Sequence, residues 1–224
     1  MKKIPFNDSL RLTKAVLEGC KTQTRRIIQC PKTYKGTYVS GFRVCRRADG
    51  TLFDTWLVDE HEREIDGSFL KPTYRVGEEV AIAQSYKDAG YTHELYQETL
   101  LRKPTIIKSL DSEPLQGLVD VPFDELKGWN NKLYVRADLM QHIIKITNVR
   151  VERLQDISDE DCLKEGIEFA RGGYYTNYNK ETNSRIWLGN TPKEAFSALI
   201  NKTCGRGTWE SNPYVFVYDF ELVK

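Results

Sequence analysis

The densest cluster of reactive side chains in the chain is residues 19–26, which read Gly-Cys-Lys-Thr-Gln-Thr-Arg-Arg. A neutral lysine amine can take the proton of a threonine hydroxyl, and the alkoxide can then attack a carbonyl carbon. Lys21 and Thr24 are therefore candidates for the base and the nucleophile of an acyl transfer. Arg25 and Arg26 carry guanidinium groups that suit a phosphate or a base edge. The same residue types also describe a basic, solvated strand edge.

A lysine base requires a lowered pKa. The pKa of a free lysine is about 10.4, and burial or a cationic neighbour has to bring it to roughly 7–8 for general-base catalysis near neutral pH. Along a strand, Thr22 and Thr24 share one face and Gln23 and Arg25 the other. In a straight strand Lys21 and Thr24 would point to opposite faces. We therefore expect the chain to bend at Lys21-Thr22.

Helix signals surround this segment. A helix over 9–18 is predicted from its apolar spacing, from the cap residues Asn7, Asp8 or Ser9, and from a glycine stop at position 19. Two later helices are predicted over 158–165 and 191–203. The first has a serine cap at 158, and the second has the Thr-Pro-x-Glu start.

Strand signals outnumber helix signals. The predicted strands are a hairpin of 37–46 and 51–58 around Ala48-Asp49-Gly50, then 79–84, 132–138, 143–154 and 214–223, after an extended stretch over 22–28. A short helix is predicted near 93–101, and a loop or hairpin over 169–190. Because strands and helices do not alternate regularly, we expect an α+β fold: a compact mixed β-barrel with peripheral helices.

Bulk composition excludes several classes of protein. The chain has 224 residues, 40% of them hydrophobic, and a net charge of +1. That length fits one domain with insertions, and the near-neutral charge means that any nucleic-acid contact must be local. No apolar run reaches the length of a membrane span or of a signal peptide. The five cysteines are scattered and odd in number. We expect reduced thiols, a cytoplasmic location and no membrane partner, with Cys162 in the core.

Common catalytic motifs are missing from the sequence. The three histidines, His61, His93 and His142, have no cysteines or acids at metal-ligand spacing, so no metal site is predicted. Neither a Gly-x-Ser-x-Gly elbow nor a glycine-rich phosphate or dinucleotide loop occurs. We therefore expect no cofactor.

The run Gly19-x-Lys21-Thr22-x-Thr24-x-Arg26 after a short helix resembles the signature of ASCH domains, which are PUA-like β-barrels. Three further stretches resemble the family in the same order: Tyr74-x-Val76-Gly77-Glu78-Glu79-Val80; 149–157 followed by Glu165-Gly166; and Trp209 with the strand 214–222. The chain is most similar to larger bacterial and phage-associated members. The resemblance implies one domain over 1–224, with insertions near 30–70, 86–130 and 169–190.

The resemblance also implies a role connected with RNA or nucleotides. A small bacterial member of the family is an amidohydrolase that removes the acetyl group from N4-acetylcytidine. Carried over by position, its lysine base is Lys21, its threonine nucleophile is Thr24 and its catalytic glutamate is Glu165. The implied partner is RNA or a modified nucleoside.

One residue departs from the pattern. Many larger members have a glutamate where this chain has Gln84, whose carboxamide can both donate to and accept from a base edge. The implied substrate- or nucleic-acid-binding residues are Thr22, Arg25, Arg26, Gln84, Tyr86 and Trp209. Two other functions stay open: a non-catalytic RNA-binding module that grips a single strand with cations and aromatic rings, and a metal-independent ribonuclease.

Overall fold

The computed structural model describes residues 1–46, 52–91, 128–170, 172–179 and 184–223. The predicted turn at 48–50, the predicted helix at 93–101 and most of the predicted insertion at 86–130 lie outside the described residues. Among the described residues, no helix is both long enough and apolar enough to span a membrane.

Strands and helices are mixed along the chain, as predicted for an α+β fold. The strands are β1 (Lys2–Pro5), β2 (Gln23–Ile27), β3 (Thr33–Tyr34), β4 (Thr37–Tyr38), β5 (Gly41–Arg46), β6 (Leu52–Val58), β7 (Glu64–Phe69), β8 (Glu79–Ala83), β9 (Ile143–Arg153), β10 (Glu168–Ala170), β11 (Tyr174–Asn179), β12 (Ser184–Gly189) and β13 (Tyr214–Leu222). The helices are α1 (Leu12–Leu17), α2 (Asp159–Lys164), α3 (Pro192–Cys204) and α4 (Thr208–Ser211).

The main sheet runs in the order β1-β8-β9-β13-β2, and β5, β6 and β7 branch from it where β6 pairs with β9. β1 is parallel to β8, whereas β13 is antiparallel to both β9 and β2. No backbone ladder joins β1 to β2 in the described part of the chain, so the sheet there is not closed into the expected barrel. A side chain spans the two edges: Arg26 Nη2 donates to the Pro5 carbonyl oxygen at 2.6 Å.

The core lies between this sheet and the helices. Its strand residues include Ile82, Ile146, Val217 and Tyr218, which are fully buried, and α3 adds Phe196 at 1% exposure. Four successive residues of β13, from 215 to 218, are all buried, so both faces of this strand are covered at its centre. Since β13 lies between β9 and β2, it fixes the position of β2 and of the reactive residues on it.

The two capped helices form where they were predicted. The Ser158 hydroxyl accepts from the Asp161 backbone N–H at 3.1 Å, and the Thr191 hydroxyl accepts from the Glu194 backbone N–H at 3.2 Å. α1 is shorter than predicted, because Arg11 at its start adopts a left-handed conformation with φ of 51°. The helix therefore begins at Leu12, and none of the predicted cap residues occupies its cap position.

The strand predicted over 132–138 is wrong. The chain forms two single 3-10 turns there, Lys132–Tyr134 and Ala137–Leu139. Leu133 and Tyr134 are exposed, at 62% and 58%, whereas Val135 is 4% exposed and packs in a small second cluster of buried residues, so the apolar residues do not share one buried sheet face. Lys132 instead reaches the Asp8 carboxylate at 2.6 Å. The segment 169–190, predicted as a loop or hairpin, contains the three-stranded sheet β10-β11-β12.

Candidate active site

The reactive segment folds against the end of α2. The Lys21 and Glu165 backbones form an isolated antiparallel bridge, and the Thr22 N–H donates to the Lys164 carbonyl at 3.0 Å. The Lys21 N–H still bonds the Ala15 carbonyl of α1 at 2.9 Å, so the chain turns out of the helix at this residue, where the bend was expected. Gly166 follows Glu165 with φ of +93°, a backbone conformation that other residues rarely adopt.

Lys21 is buried, with 2% exposure, and its amine is fully hydrogen-bonded. Nζ donates to Glu165 Oε2 at 2.5 Å, to the Glu165 carbonyl at 2.9 Å and to the Gln23 carbonyl at 2.8 Å. An ammonium has three donors, so these contacts use all of them. Burial lowers the pKa of Lys21 below its ordinary value, while the Glu165 carboxylate opposes that effect.

Thr24 lies on β2 opposite Tyr218 and is 5% exposed. Lys21 and Thr24 line the same cavity, but Lys21 Nζ does not hydrogen bond the Thr24 hydroxyl. Across the ranges that the structure describes, no side-chain hydrogen bond engages that hydroxyl. The candidate nucleophile is thus available to a ligand, whereas the candidate base is occupied.

The cavity that contains these residues, the Lys21 cavity, has a volume of about 140 Å³. Its walls come from the β1–α1 connection, from β2, from Glu165 and from α3. Drug-sized ligands usually occupy about 300–1,000 Å³. The Lys21 cavity is therefore sized for a fragment, such as an acyl group and the edge of the base that carries it, rather than for a folded polymer.

Arg25 follows Thr24 on β2, also lines the Lys21 cavity, and is an internal ion. Its side chain is 1% exposed, and it contacts three carboxylates: Glu165 at 3.0 Å, Glu152 at 2.7 Å and Asp161 at 3.3 Å. It also donates to the Gln23 side chain. The Glu165 carboxylate is consequently held on both sides, by Lys21 at one oxygen and by Arg25 at the other.

Arg150 extends this cluster to the surface. Its guanidinium contacts Asp161 at 2.6 Å and Asp219 at 2.7 Å, and its side chain is 31% exposed. The cluster follows the strand register, since Arg25 and Arg150 both lie opposite Val217 of the strand between them. Sequence reasoning missed the cluster. The available signal was the spacing of two residues between Gln23 and Arg25 and between Arg150 and Glu152. This spacing places the members of each pair on the same face of their strand.

The predicted binding residues do not all line the Lys21 cavity. Arg26 lines the Lys21 cavity with its guanidinium 5.9 Å from the Phe6 ring centre. The backbone carbonyl of Thr22 accepts from the Phe220 N–H at 2.9 Å, and its side chain is not part of the cavity wall. Gln84 lines a different cavity.

The two predicted aromatic residues pack inside the protein. Tyr86 is 2% exposed, and its hydroxyl accepts from the Arg136 N–H at 3.0 Å. Trp209 is partly buried against Phe196, with ring centres 6.0 Å apart. Neither lines the Lys21 cavity, so in this arrangement neither offers a ring face there for stacking a base.

Within the described residues, no group of three or more histidine, cysteine, aspartate or glutamate side chains is arranged to hold a metal ion. Comparison of the chain with protein-family models, with curated proteins and with solved structures gave no match.

Proposed function

We propose that the protein hydrolyses the acyl group of a modified nucleoside of the N4-acetylcytidine type, and that the reaction takes place in the Lys21 cavity. The observation that carries this proposal is the buried contact of Lys21 with Glu165 in a cavity that Thr24 also lines. Replacing a buried ion pair by apolar residues is often neutral or stabilising, so such a pair is weak support for a purely structural role. A lysine with a lowered pKa near an unengaged hydroxyl suits acyl transfer.

In the proposed reaction, Thr24 Oγ attacks the acetyl carbonyl carbon, and its proton passes to the neutral amine of Lys21. The tetrahedral intermediate then collapses, the bond from carbon to N4 breaks, and N4 takes up a proton. Water attacks the threonine ester, releases acetate and restores the hydroxyl. The sum is N4-acetylcytidine plus water giving cytidine plus acetate, which requires neither an oxidant nor a reductant.

Lys21 has to change partners before it can act as the base. Its amine becomes neutral when a proton moves to Glu165 Oε2, 2.5 Å away. Binding of the substrate must then turn Nζ toward Thr24. A hydrogen bond from Lys21 to Thr24 that forms only with substrate is expected, because catalytic hydrogen bonds are often long or poorly aligned until substrate is bound. We assign Glu165 the return of the proton to the leaving N4.

Membership of the ASCH family, with its PUA-like barrel, is part of the proposal. The motif residues support it, since Lys21, Thr24, Arg26 and Glu165 all line one cavity. The hydrogen bond from Arg26 to the Pro5 carbonyl also supports it, because the two outer strands of the open sheet approach within one side chain's reach.

RNA binding without chemistry, or a metal-independent ribonuclease, has less support. RNA binding was predicted to use Lys21, Arg25 and Arg26 as cations, and the ribonuclease to use the same cluster of lysine, threonine and arginine. Two of these cations, Lys21 and Arg25, are unavailable to phosphate. Each is buried and directed at carboxylates of the protein, with side-chain exposures of 2% and 1%. Releasing either residue to a phosphate would leave a buried carboxylate without its partner, which is strongly unfavourable.

Acetate release from N4-acetylcytidine tests the proposal. The wild-type protein should release acetate, and Thr24→Ala should abolish nearly all of that release. Thr203→Ala is the matched control. Thr203 lines the same cavity, but its hydroxyl donates to helix carbonyls at 3.1 Å, so its loss should leave turnover intact. Undiminished release in Thr24→Ala, or no release from any acylated nucleoside by wild type, would overturn the proposal.

A further inference from the structure

Asn7 is a polar residue of the Lys21 cavity that the proposed reaction has not used. It lies two residues after β1, at the turn that leads into α1, and lines the cavity together with Thr24 and Glu165. Its Oδ1 atom accepts from the Leu10 backbone N–H at 3.2 Å. Its backbone carbonyl accepts from the Leu12 N–H at 2.9 Å. Two hydrogen bonds to the start of α1 therefore fix the position of this residue.

The contact with Leu10 also fixes which way the carboxamide of Asn7 faces. A backbone N–H can only donate, so the carboxamide atom that meets it is the oxygen, and the other atom is the nitrogen. Across the ranges that the structure describes, no group accepts from Asn7 Nδ2. The described side-chain atoms that are buried without a partner belong to Gln84 and Thr176. Asn7 Nδ2 is therefore an oriented donor that is both unpaired and accessible.

The cations of the same wall are engaged with the protein. All three donors of Lys21 Nζ have partners, and the Arg25 guanidinium contacts three carboxylates. Arg26 uses Nη2 to bind the Pro5 carbonyl. A ligand can engage Asn7 Nδ2 without breaking any contact that the protein makes.

We propose that Asn7 is a catalytic residue of the hydrolysis, and that its Nδ2–H donates a hydrogen bond to the acyl oxygen of the substrate. The inference rests on the proposed function. When Thr24 Oγ bonds to the carbonyl carbon, one electron pair of the C=O double bond moves onto the oxygen. When the bond from carbon to N4 breaks, that pair restores the double bond. Asn7 keeps its proton throughout and stabilises the negative charge that the oxygen carries between these two steps.

The surroundings of Asn7 make such a hydrogen bond effective. Charges interact more strongly where water is excluded, and a donor that is already in place does not have to reorganise during the reaction. The anchoring of Asn7 at the start of α1 meets the second condition. The first is met by the buried apolar residues of the wall, which are Phe6, Leu12, Phe196, Leu199 and Ile200.

The decisive variant is Asn7→Asp, which keeps an oxygen for the Leu10 N–H and replaces the donor by an acceptor. The kcat for acetate release from N4-acetylcytidine should fall about 10²- to 10³-fold, the usual effect of removing one donor to an oxyanion. KM should change little, because the hydrogen bond is strongest to the charged intermediate. The midpoint of thermal unfolding should stay close to that of wild type, since the contact with α1 is retained.

Asn7→Ser separates the lost donor from the added charge. A serine hydroxyl can accept in the same kind of turn, but it is neutral and too short to replace Nδ2. Its kcat should fall to a similar extent, with a pH profile of the wild-type shape. In Asn7→Asp the profile should also move toward higher pH, because a nearby carboxylate raises the pKa of a lysine amine such as that of Lys21. A purely structural role would lower the unfolding midpoint and leave the kcat of the folded protein unchanged.

Asn131→Asp is the matched control. Asn131 Oδ1 accepts from the Leu133 backbone N–H at 3.0 Å, so this asparagine also holds a turn through its oxygen. It does not line the Lys21 cavity. The same chemical change at this position should leave kcat and KM unchanged.

The inference is overturned if wild type releases acetate and both Asn7 variants keep the wild-type kcat, and the proposed hydrolysis would then stand. It is also overturned if Asn7→Asp loses activity while Asn7→Ser does not, since the added charge would then explain the loss. A raised KM with an unchanged kcat would contradict a contact made to the intermediate. No acetate release by wild type from any acylated nucleoside would overturn the hydrolysis and this inference together.

Discussion

Nζ of Lys21 lies 2.5 Å from Oε2 of Glu165, although 144 positions separate the two residues in the chain. Their side chains are 2% and 6% exposed, so both charges are largely shielded from bulk water. Arg25 holds the other carboxylate oxygen at 3.0 Å. The protonation of Lys21 therefore depends on two effects of opposite sign, since burial lowers its pKa and the carboxylate raises it.

The stability of the wild-type protein relative to Lys21→Met should rise with pH in the alkaline range. Burial lowers the pKa of Lys21 from its ordinary 10.5, so between the lowered value and 10.5 the unfolded chain binds a proton that the folded chain does not. Stability rises with pH wherever the unfolded state binds more protons. Urea unfolding of both proteins from neutral pH up to 10.5 measures the difference. A difference that stays constant across this series would contradict a lowered pKa.

Turnover should respond to Lys21 and Thr24 as one unit. Lys21→Ala and Thr24→Ala should each remove nearly all acetate release, and the double variant should be little worse than either one, because base and nucleophile act together. Lys21→Arg should not restore activity, since arginine keeps its proton near neutral pH. Independent, multiplying losses in kcat would show that the two residues act in separate steps.

Glu165→Gln should also lower kcat severely, because an amide cannot carry a proton to the leaving amine. Unfolding measured in parallel separates this effect from loss of the fold. A variant with normal kcat would remove Glu165 from the proposed mechanism.

Arg25→Ala should destabilise the protein by about 3–5 kcal/mol, the usual effect of removing one partner from a buried ion pair. The variant leaves carboxylates of Glu152, Asp161 and Glu165 without this cation. Chemical denaturation measures the change. Arg43→Ala is the control, because the Arg43 pair with Glu64 is exposed and such pairs contribute about 0–1 kcal/mol. Similar losses in the two variants would contradict an internal role for Arg25.

Alkylation of Cys204 should inhibit acetate release. Cys204 is exposed and lines the Lys21 cavity, so an added group there would obstruct the substrate. Cys162 should not react in the folded protein, because it is buried and burial raises the pKa of its thiol to about 12. Iodoacetamide treatment followed by peptide mass spectrometry and the acetate assay checks both statements.

Two serine variants identify the thiol that is responsible for the inhibition. Cys204→Ser should resist inhibition. Cys20→Ser should remain as sensitive as wild type, since Cys20 is exposed but lies outside the cavity wall. Inhibition that persists in Cys204→Ser would locate the sensitive thiol elsewhere.

Local signals predicted much of the fold. The caps at Ser158 and Thr191 act within three residues of themselves, and both form hydrogen bonds as expected. The strand predicted at 132–138 was wrong, because a short run with apolar residues shows only that a strand is possible. Whether a sheet buries its apolar side depends on distant residues. Here Lys132 binds Asp8 instead, and no local pattern contains that contact.

The same limit applies to the candidate site. The motif residues Lys21 and Thr24 were identifiable because they are close in sequence, and Glu165 came from the resemblance. The contacts of Arg25 were not foreseen, since its acidic partners lie on β9 and α2, more than a hundred positions away. The sequence assigned Arg25 to ligand binding because it lies next to Lys21 and Thr24. Only the structure shows that its guanidinium already binds carboxylates of the protein.

The pairing of β2 with a single strand has a consequence for when the candidate site can form during synthesis of the chain. In the described sheet, β2 pairs only with β13. Thr24 leaves the ribosome well before β13, the strand that pairs with it and ends at Leu222. Domains begin to fold as the chain emerges, yet a nascent chain that ends at α3 still has its reactive strand without a neighbour. The proposed acyl-transfer chemistry therefore becomes possible only after β13 has been made, and a product truncated before β13 would be inert.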